Sequence, residues 1–481
     1  MAETMQLFCL ITAILFYYSH SQSHSIFLSS NNGSKPTTGF SLKLIPADSP
    51  RSPLYFGNLT KHERMQRLIN ITQARLRYIQ HKTSSSSSLR NATSTKPDTI
   101  RCPMIRDIFY FAAHVNIGSN NWGLNLLLDT GGGLIWTQCE PCTPPNCFTI
   151  SYGNFDPRAS TTYSKLPCSH PFCRGGLYDC VNNECVYNID YGSGIGGGEG
   201  GFETIRGSTK GVASLERFTF DSTEGGPIYF DGIVFGCSND SENVEWGDSH
   251  DIAGIMGLSF SPDSLLSQLD DRIGRKFSYC IPSMDEEIQN DVILNFGNDI
   301  PTTTRRLQST QFVTPQGSHY FYLNLLDISV GSKRLGFRPG LFNPNDEQGE
   351  GFFIDSGAPV TVLDDDAYGV DVYKEVIDAF EQHYNYHGLV KSSIAPLGFE
   401  LCYEHTHDIQ DLLLTMTFHF YPRAEYVVHS LDGHYFDDLN GVFCVAILRG
   451  GRSILGAYHQ QNKRIIYNGA FLQFATEDCP N

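Results

Sequence analysis

The sequence predicts a mostly β protein of two lobes that share one site, and three observations carry that expectation. Two segments repeat a single pattern, Leu-Leu-Leu-Asp129-Thr130-Gly131 and Phe-Phe-Ile-Asp355-Ser356-Gly357, with the aspartates 226 positions apart. From about residue 107, apolar runs are short and broken by Gly, Pro and Asn, as in FYFAAHVNIG, FYLNLLDISVG, RIIYNGAFLQFA and VFCVAILRG. The halves also echo each other further on. The stretch 251–258 (DIAGIMGL) is matched by SILGA from Ser453, each an apolar strand meeting a glycine-bearing turn. Helical patterning within this region is brief, at 263–271 and 364–383.

Each repeated motif ends an apolar, strand-like run on a carboxylate, followed by a hydroxyl residue and a glycine. A carboxylate is costly to bury alone, so two in matching settings imply one site built twice. Facing carboxylates do not both ionise comfortably; they share a proton, and one then serves as base while the other serves as acid. This pairing is how aspartic proteases activate water. A single Asp-Ser/Thr-Gly signals no more than a strand entering a turn; the doubled motif carries the reading.

At 481 residues the chain has room for two or three domains, and 40% hydrophobic with 18% charged residues is ordinary globular composition. The net charge of −18 argues against nucleic acid as a partner. Residues 5–18 (MQLFCLITAILFYY) form an apolar run followed by a polar stretch with small residues at Ser21 and Ser23, which reads as a signal peptide over 1–23. Its n-region departs from the usual pattern: it lacks Lys and Arg and holds Glu3. A membrane anchor is the alternative, for which the run is short.

Cysteine usage agrees with secretion. Cys9 departs with the signal peptide, and seven of the remaining cysteines crowd between Cys139 and Cys185, a density suited to an oxidising compartment. Cys139-x-x-Cys142 resembles a zinc or redox motif, but no matching Cys/His pair accompanies it, and neither a metal nor an organic cofactor is expected. Sequons at Asn32, Asn58, Asn70, Asn91 and Asn239 are candidate glycosylation sites.

Residues 24–100 stand apart. They hold 11 Lys/Arg against three acids, a charge of +8, whereas 101–481 carries −25. A helix-like stretch at 62–81 precedes a serine run at 84–88 that reads as a linker. A basic segment ahead of an acidic body suggests a removable propeptide covering an acidic cleft; a non-inhibitory arm is the alternative. The expected organisation is signal 1–23, propeptide 24–100, N-terminal lobe 101–300 with Asp129, and C-terminal lobe 301–481 with Asp355.

These segments resemble the pepsin-like aspartic proteases, and more closely their plant nepenthesin-like, disease-resistance-type secreted subgroup. The resemblance spans nearly the whole chain. It is carried by GFSLKLIPADSPRSP from Gly39, LIWTQCEPC from Leu134, Phe155-Asp-Pro, Leu166-Pro-Cys, Phe235-Gly-Cys, Phe277-Ser-Tyr-Cys, Ser329-Val-Gly, Leu401-Cys-Tyr and Gln460-Gln-Asn-Lys-Arg, in that order.

The resemblance implies a bilobal pepsin-like acid protease fold with the cleft between two β-lobes, and Asp129 and Asp355 as the catalytic pair. Thr130, Gly131, Ser356 and Gly357 would support that pair, the two hydroxyls bonding across the lobes. Tyr191 and Gly192 would belong to the flap over substrate, with Trp136 supporting Tyr191. It further implies the disulfides Cys139–Cys142, Cys147–Cys237, Cys168–Cys185, Cys173–Cys180, Cys280–Cys479 and Cys402–Cys444, leaving Cys102 over. Protein or peptide substrates, a monomer without a membrane in the mature form, and the apoplast rather than the vacuole complete the expectation.

Three departures bear on activity. Where the family has Ser and Thr three residues after its two aspartates, this chain has Gly132 and Ala358. Each missing hydroxyl removes a donor worth about 1.5–3 kcal/mol to a charged group, so restoring both is expected to favour the ionised carboxylate and raise turnover. The flap carries a glycine-rich insert over 194–206, including a formal G-x-G-x-x-G at 192–197 that lacks the strand-to-helix setting of a dinucleotide site. Because glycine loses most entropy on ordering, closure over substrate should be harder. The sequence therefore reads as a secreted aspartic endopeptidase made as a zymogen. The alternative is a catalytically impaired homologue that acts as a protein-binding or inhibitor-type protein.

Overall fold

The computed structural model describes residues 38–55, 57–84, 110–174, 176–191, 207–221, 226–242, 244, 250–284, 291–303, 305–315, 318–345, 351–395, 398–405 and 409–480. The signal-peptide run, Asn32, Asn91, Cys102, Gly192 and the 194–206 insert lie outside them, as does the side chain of Tyr191.

The fold is mostly β and contains the same arrangement twice. In the first half, Trp122–Asp129 pairs in parallel with Gly254–Gly257; that strand pairs antiparallel with Trp136–Gln138, which runs parallel to Pro227–Asp240. In the second half, Phe352–Ile354 pairs in parallel with Ser453–Leu455; that strand pairs antiparallel with Thr361–Asp364, which runs parallel to Ile447–Gly450. The two apolar echoes in the sequence are thus equivalent strands, each beside a carboxylate motif. One sheet crosses between the halves, placing Phe471–Thr476 and Lys463–Asn468 next to Lys276–Cys280 and Val292–Gly297.

The basic N-terminal segment is built into this sheet. Gly39–Pro46 lies antiparallel between Val292–Gly297 and Phe111–Ile117. Its alternation buries Phe40, Leu42, Leu44 and Pro46 on one face, and the Phe40 ring stacks on Phe220 at 4.6 Å and Phe296 at 4.5 Å between centroids.

The helix that follows, Lys61–Ser84, opens on a capping box. The Thr60 N–H donates to Glu63 Oε2 at 2.8 Å, and the Glu63 N–H returns to Thr60 Oγ1 at 3.2 Å. Met65, Leu68, Ile69, Thr72, Arg75, Leu76 and Ile79 are buried, a stripe at helical spacing in which Arg75 is the charged member.

The later helices differ in extent from the sequence expectation. Thr361–Asp364 is a strand, and the helix begins only at Val372, where the Asp371 carboxylate accepts from the Lys374 N–H. The 263–271 region forms two short helices, Leu265–Gln268 and Asp270–Ile273.

Cysteine pairing departs from expectation at four bonds. In place of Cys139–Cys142 and Cys147–Cys237, the structure joins Cys139 to Cys237 and Cys142 to Cys147. The parallel pairing of Trp136–Gln138 with Gly236–Ser238 is the cause, since it brings Cys139 to a Cα separation of 5.4 Å from Cys237. In place of Cys168–Cys185 and Cys173–Cys180 it joins Cys168 to Cys180 and Cys173 to Cys185. Cys180 and Cys185 sit directly opposite in a hairpin, so their side chains share a face and each meets one cysteine of the 168–173 loop. Cys280–Cys479 and Cys402–Cys444 form as expected.

Candidate active site

Asp129 and Asp355 each end a parallel strand in a sharp turn, where the carboxylate folds back on its own loop. The Gly131 N–H donates to Asp129 Oδ1 at 2.9 Å, and the Gly357 N–H donates to Asp355 Oδ1 at 2.8 Å. The backbone of each is tied to its neighbouring segment, though through different groups: Asp129 O accepts from the Leu258 N–H at 2.8 Å, and the Asp355 N–H donates to Leu455 O at 3.2 Å. Thr130 Oγ1 reaches across the halves and donates to Asp355 Oδ1 at 2.8 Å. Ser356, expected to bond across in the same way, makes no such bond to Asp129 among the described residues and is buried against Tyr279; burial, with the charge of Asp355, pushes the Tyr279 phenol well up. Both carboxylates are buried, at 1% exposure each.

Between them lies Arg75 of the basic segment. Its Nη2 donates to Asp129 Oδ1 at 2.6 Å and its Nε to Asp355 Oδ2 at 2.9 Å, so one guanidinium joins both carboxylates. The paired glycines make room: a Cβ at Gly131 would fall 2.8 Å from Arg75 Nη2, and one at Gly357 3.3 Å from Arg75 Cζ. One turn earlier, Thr72 Oγ1 accepts from the Val360 N–H at 2.9 Å, tying the helix to the loop after the second motif.

The same helix is anchored near its start. His62 Nδ1 lies 2.8 Å from Asp437 Oδ2. Burial raises the Asp437 carboxyl, but hydrogen bonds from Asn440 and His62 outweigh it and hold the group below its ordinary value of 3.8.

The sequence reading missed Arg75. Its signal was present as a lone charge at 75 within the apolar stripe of a helix, a position that demands a partner.

Gly132 has a role that the missing-hydroxyl argument did not include. A Cβ there would fall 2.2 Å from Asp129 Oδ2, so the carboxylate occupies the space that a serine would need. Restoring a serine would displace Asp129 from this arrangement. Ala358 is fully buried. Trp136 is fully buried in its strand, edge-on to Phe148. Tyr191 closes the strand Glu184–Tyr191. The asparagines of the sequons at Asn58, Asn70 and Asn239 are exposed, while Thr72 and Ser241, the hydroxyl residues of the last two, are buried. Among the described residues, no group of three or more His, Cys, Asp or Glu side chains gathers within reach of one ion, and no helix is long and apolar enough to cross a membrane.

Two carboxylate turns meeting across a duplicated β architecture define the aspartic-type hydrolase class. Residues 111–298 match the family model described as Xylanase inhibitor N-terminal, and 320–474 match Xylanase inhibitor C-terminal. Aspartic proteinase nepenthesin-1 of Nepenthes gracilis is 29% identical over 494 residues, covering 100% of this chain and 99% of that protein. A probable aspartic protease of Arabidopsis thaliana is 31% identical, over 71% of this chain and 72% of its own length. Among solved structures, that of edgp aligns with a TM-score of 0.56 at 17% identity, over 76% of this chain and 91% of that one, which shows the fold. The chain belongs to the pepsin-like aspartic protease family, within its nepenthesin-like plant subgroup of aspartic-type endopeptidases.

Proposed function

We propose that this protein is a secreted aspartic endopeptidase made as a zymogen. Asp129 and Asp355 activate water against a peptide bond, and residues 24–100 hold the enzyme shut through Arg75. The observation that carries the reading is the single guanidinium bonded at 2.6 and 2.9 Å to both buried carboxylates. A single positive charge in that place offsets one of the two negative charges and blocks the space between the carboxyls that an attacking water needs. When it withdraws, the pair shares a proton. One carboxylate takes a proton from water as the oxygen attacks the scissile carbonyl, and the other gives its proton to the carbonyl oxygen. The +8 of the segment against the −25 of the body supports its docking, and acid weakens that attraction by protonating carboxylates.

A second reading, an inhibitor-type or protein-binding homologue, is favoured by two observations: the matching family models are described as xylanase inhibitor, and Gly132 leaves Asp129 without a hydroxyl donor. Incubating the chain in acid with a mixed peptide library, with and without pepstatin, separates the two. Pepstatin-sensitive cleavage, lost in Asp129→Asn and Asp355→Asn chains that remain folded, is the expected result. A silent protein that binds a xylanase tightly would favour the second reading.

A further inference from the structure

A cavity of about 420 Å³ opens beside Asp129, between the Gly132–Leu134 turn, Phe172, Tyr178, Ile189, Ser261 and Asp263. Its walls are largely apolar; its lining holds three carboxylates, those of Asp129, Asp190 and Asp263, of which Asp129 is already bonded to Arg75, and one basic side chain, His319. Asp263 decides its character. At 5% exposure it is nearly enclosed, accepting from the Tyr178 hydroxyl at 2.7 Å and from the Ser261 hydroxyl. Both donors are neutral. Gln268 Nε2 bonds the backbone carbonyl of Asp263, not its carboxylate, and among the described residues no cation pairs with that carboxylate.

A carboxylate whose partners are neutral hydroxyls has no counter-charge beside it, and a charge-assisted bond from an incoming cation is stronger than either of its present bonds. Apolar walls with an anionic group among them suit a Lys or Arg side chain, whose methylene stem packs while its head pairs. The cleft already receives one such group from this chain, since Arg75 is seated in the Asp129–Asp355 pair.

We propose that this cavity is a specificity pocket that selects lysine or arginine next to the scissile bond, with Asp263 as the selecting residue. The proposal rests on the endopeptidase reading for its peptide ligand.

The test uses acid-activated full-length protein at pH 5.5 and statine-cored peptides carrying lysine, acetyl-lysine or norleucine beside the statine, with affinities read by calorimetry. The expected result is at least tenfold tighter binding of lysine over both neutral analogues, collapsing to within twofold in Asp263→Asn, which keeps an oxygen for Tyr178. The acetyl-lysine comparison reads the charge on the unaltered protein should the variant fold poorly. Norleucine or acetyl-lysine binding as well as lysine overturns the proposal, as does a lysine preference that survives Asp263→Asn, or no binding of any of the peptides. Turnover is scored separately. Lysine-selective binding without cleavage sinks the protease reading and leaves the pocket standing; cleavage with norleucine preferred does the reverse.

Discussion

Replacing Arg75 by glutamine tests the lock most directly. The guanidinium is fully buried and bonded to two buried carboxylates. Removing one partner from such an arrangement costs about 3–5 kcal/mol, because it strands the opposite charge. At about 1.4 kcal/mol per decade, that weakens docking of the segment by roughly two to three and a half orders of magnitude. The loss should be largest near neutral pH. The assay is cleavage of a quenched fluorescent peptide by the uncleaved chain, begun before any processing appears on a gel, together with thermal melting at pH 7. Arg75→Gln is expected to show cleavage from the first time point and a lower melting temperature at pH 7. Gln73→Ala, on the exposed face of the same helix, should behave as the parent does. An Arg75→Gln chain that stays as silent as the parent and melts with it would refute the lock.

Gly132→Ser, alone or with Ala358→Thr, is expected to leave turnover no higher than the parent's, because the new Cβ meets Asp129 Oδ2; steady-state kinetics on processed enzyme checks this. Phe40→Ala should destabilise the unprocessed chain by about 3–5 kcal/mol in urea and leave the processed enzyme unaffected, since the ring stacks on Phe220 and Phe296 from within the removable segment. Hydrogen bonds from Asn440 within the body and from His62 of the segment hold Asp437 below 3.8, so the share due to His62 is present above the undocked value and is lost as pH falls through the lower, docked one. Asp437→Asn removes that contribution at every pH, and the midpoint of acid-triggered processing should move upward on a pH series.

The carboxylate motifs, the duplicated halves and the mostly β character were legible in the chain because each depends on residues close in sequence. An apolar run entering an Asp-Thr/Ser-Gly turn sets its own local conformation, and its second copy told where to look for the partner. The helix expected over 62–81 was legible in the same way, apart from a few residues at its ends, whereas its capping box at Thr60 and Glu63 was found only in the structure. Charge alone carried the inhibitory reading of the segment but could not choose among its 11 basic residues. That choice belonged to the tertiary structure, since only the seating of Lys61–Ser84 across both halves brings position 75 between two aspartates distant in sequence. The cysteines divide along the same line. Their number and crowding implied disulfides, but whether Cys139 meets Cys142 or Cys237 depends on which strand lies beside Trp136–Gln138, and that pairing is set by packing of the sheet across 98 residues of chain. Local chemistry determined what each segment could do; the proximity of groups distant in sequence, on which a shared proton, a salt bridge and a crosslink all depend, was decided only when the chain closed on itself.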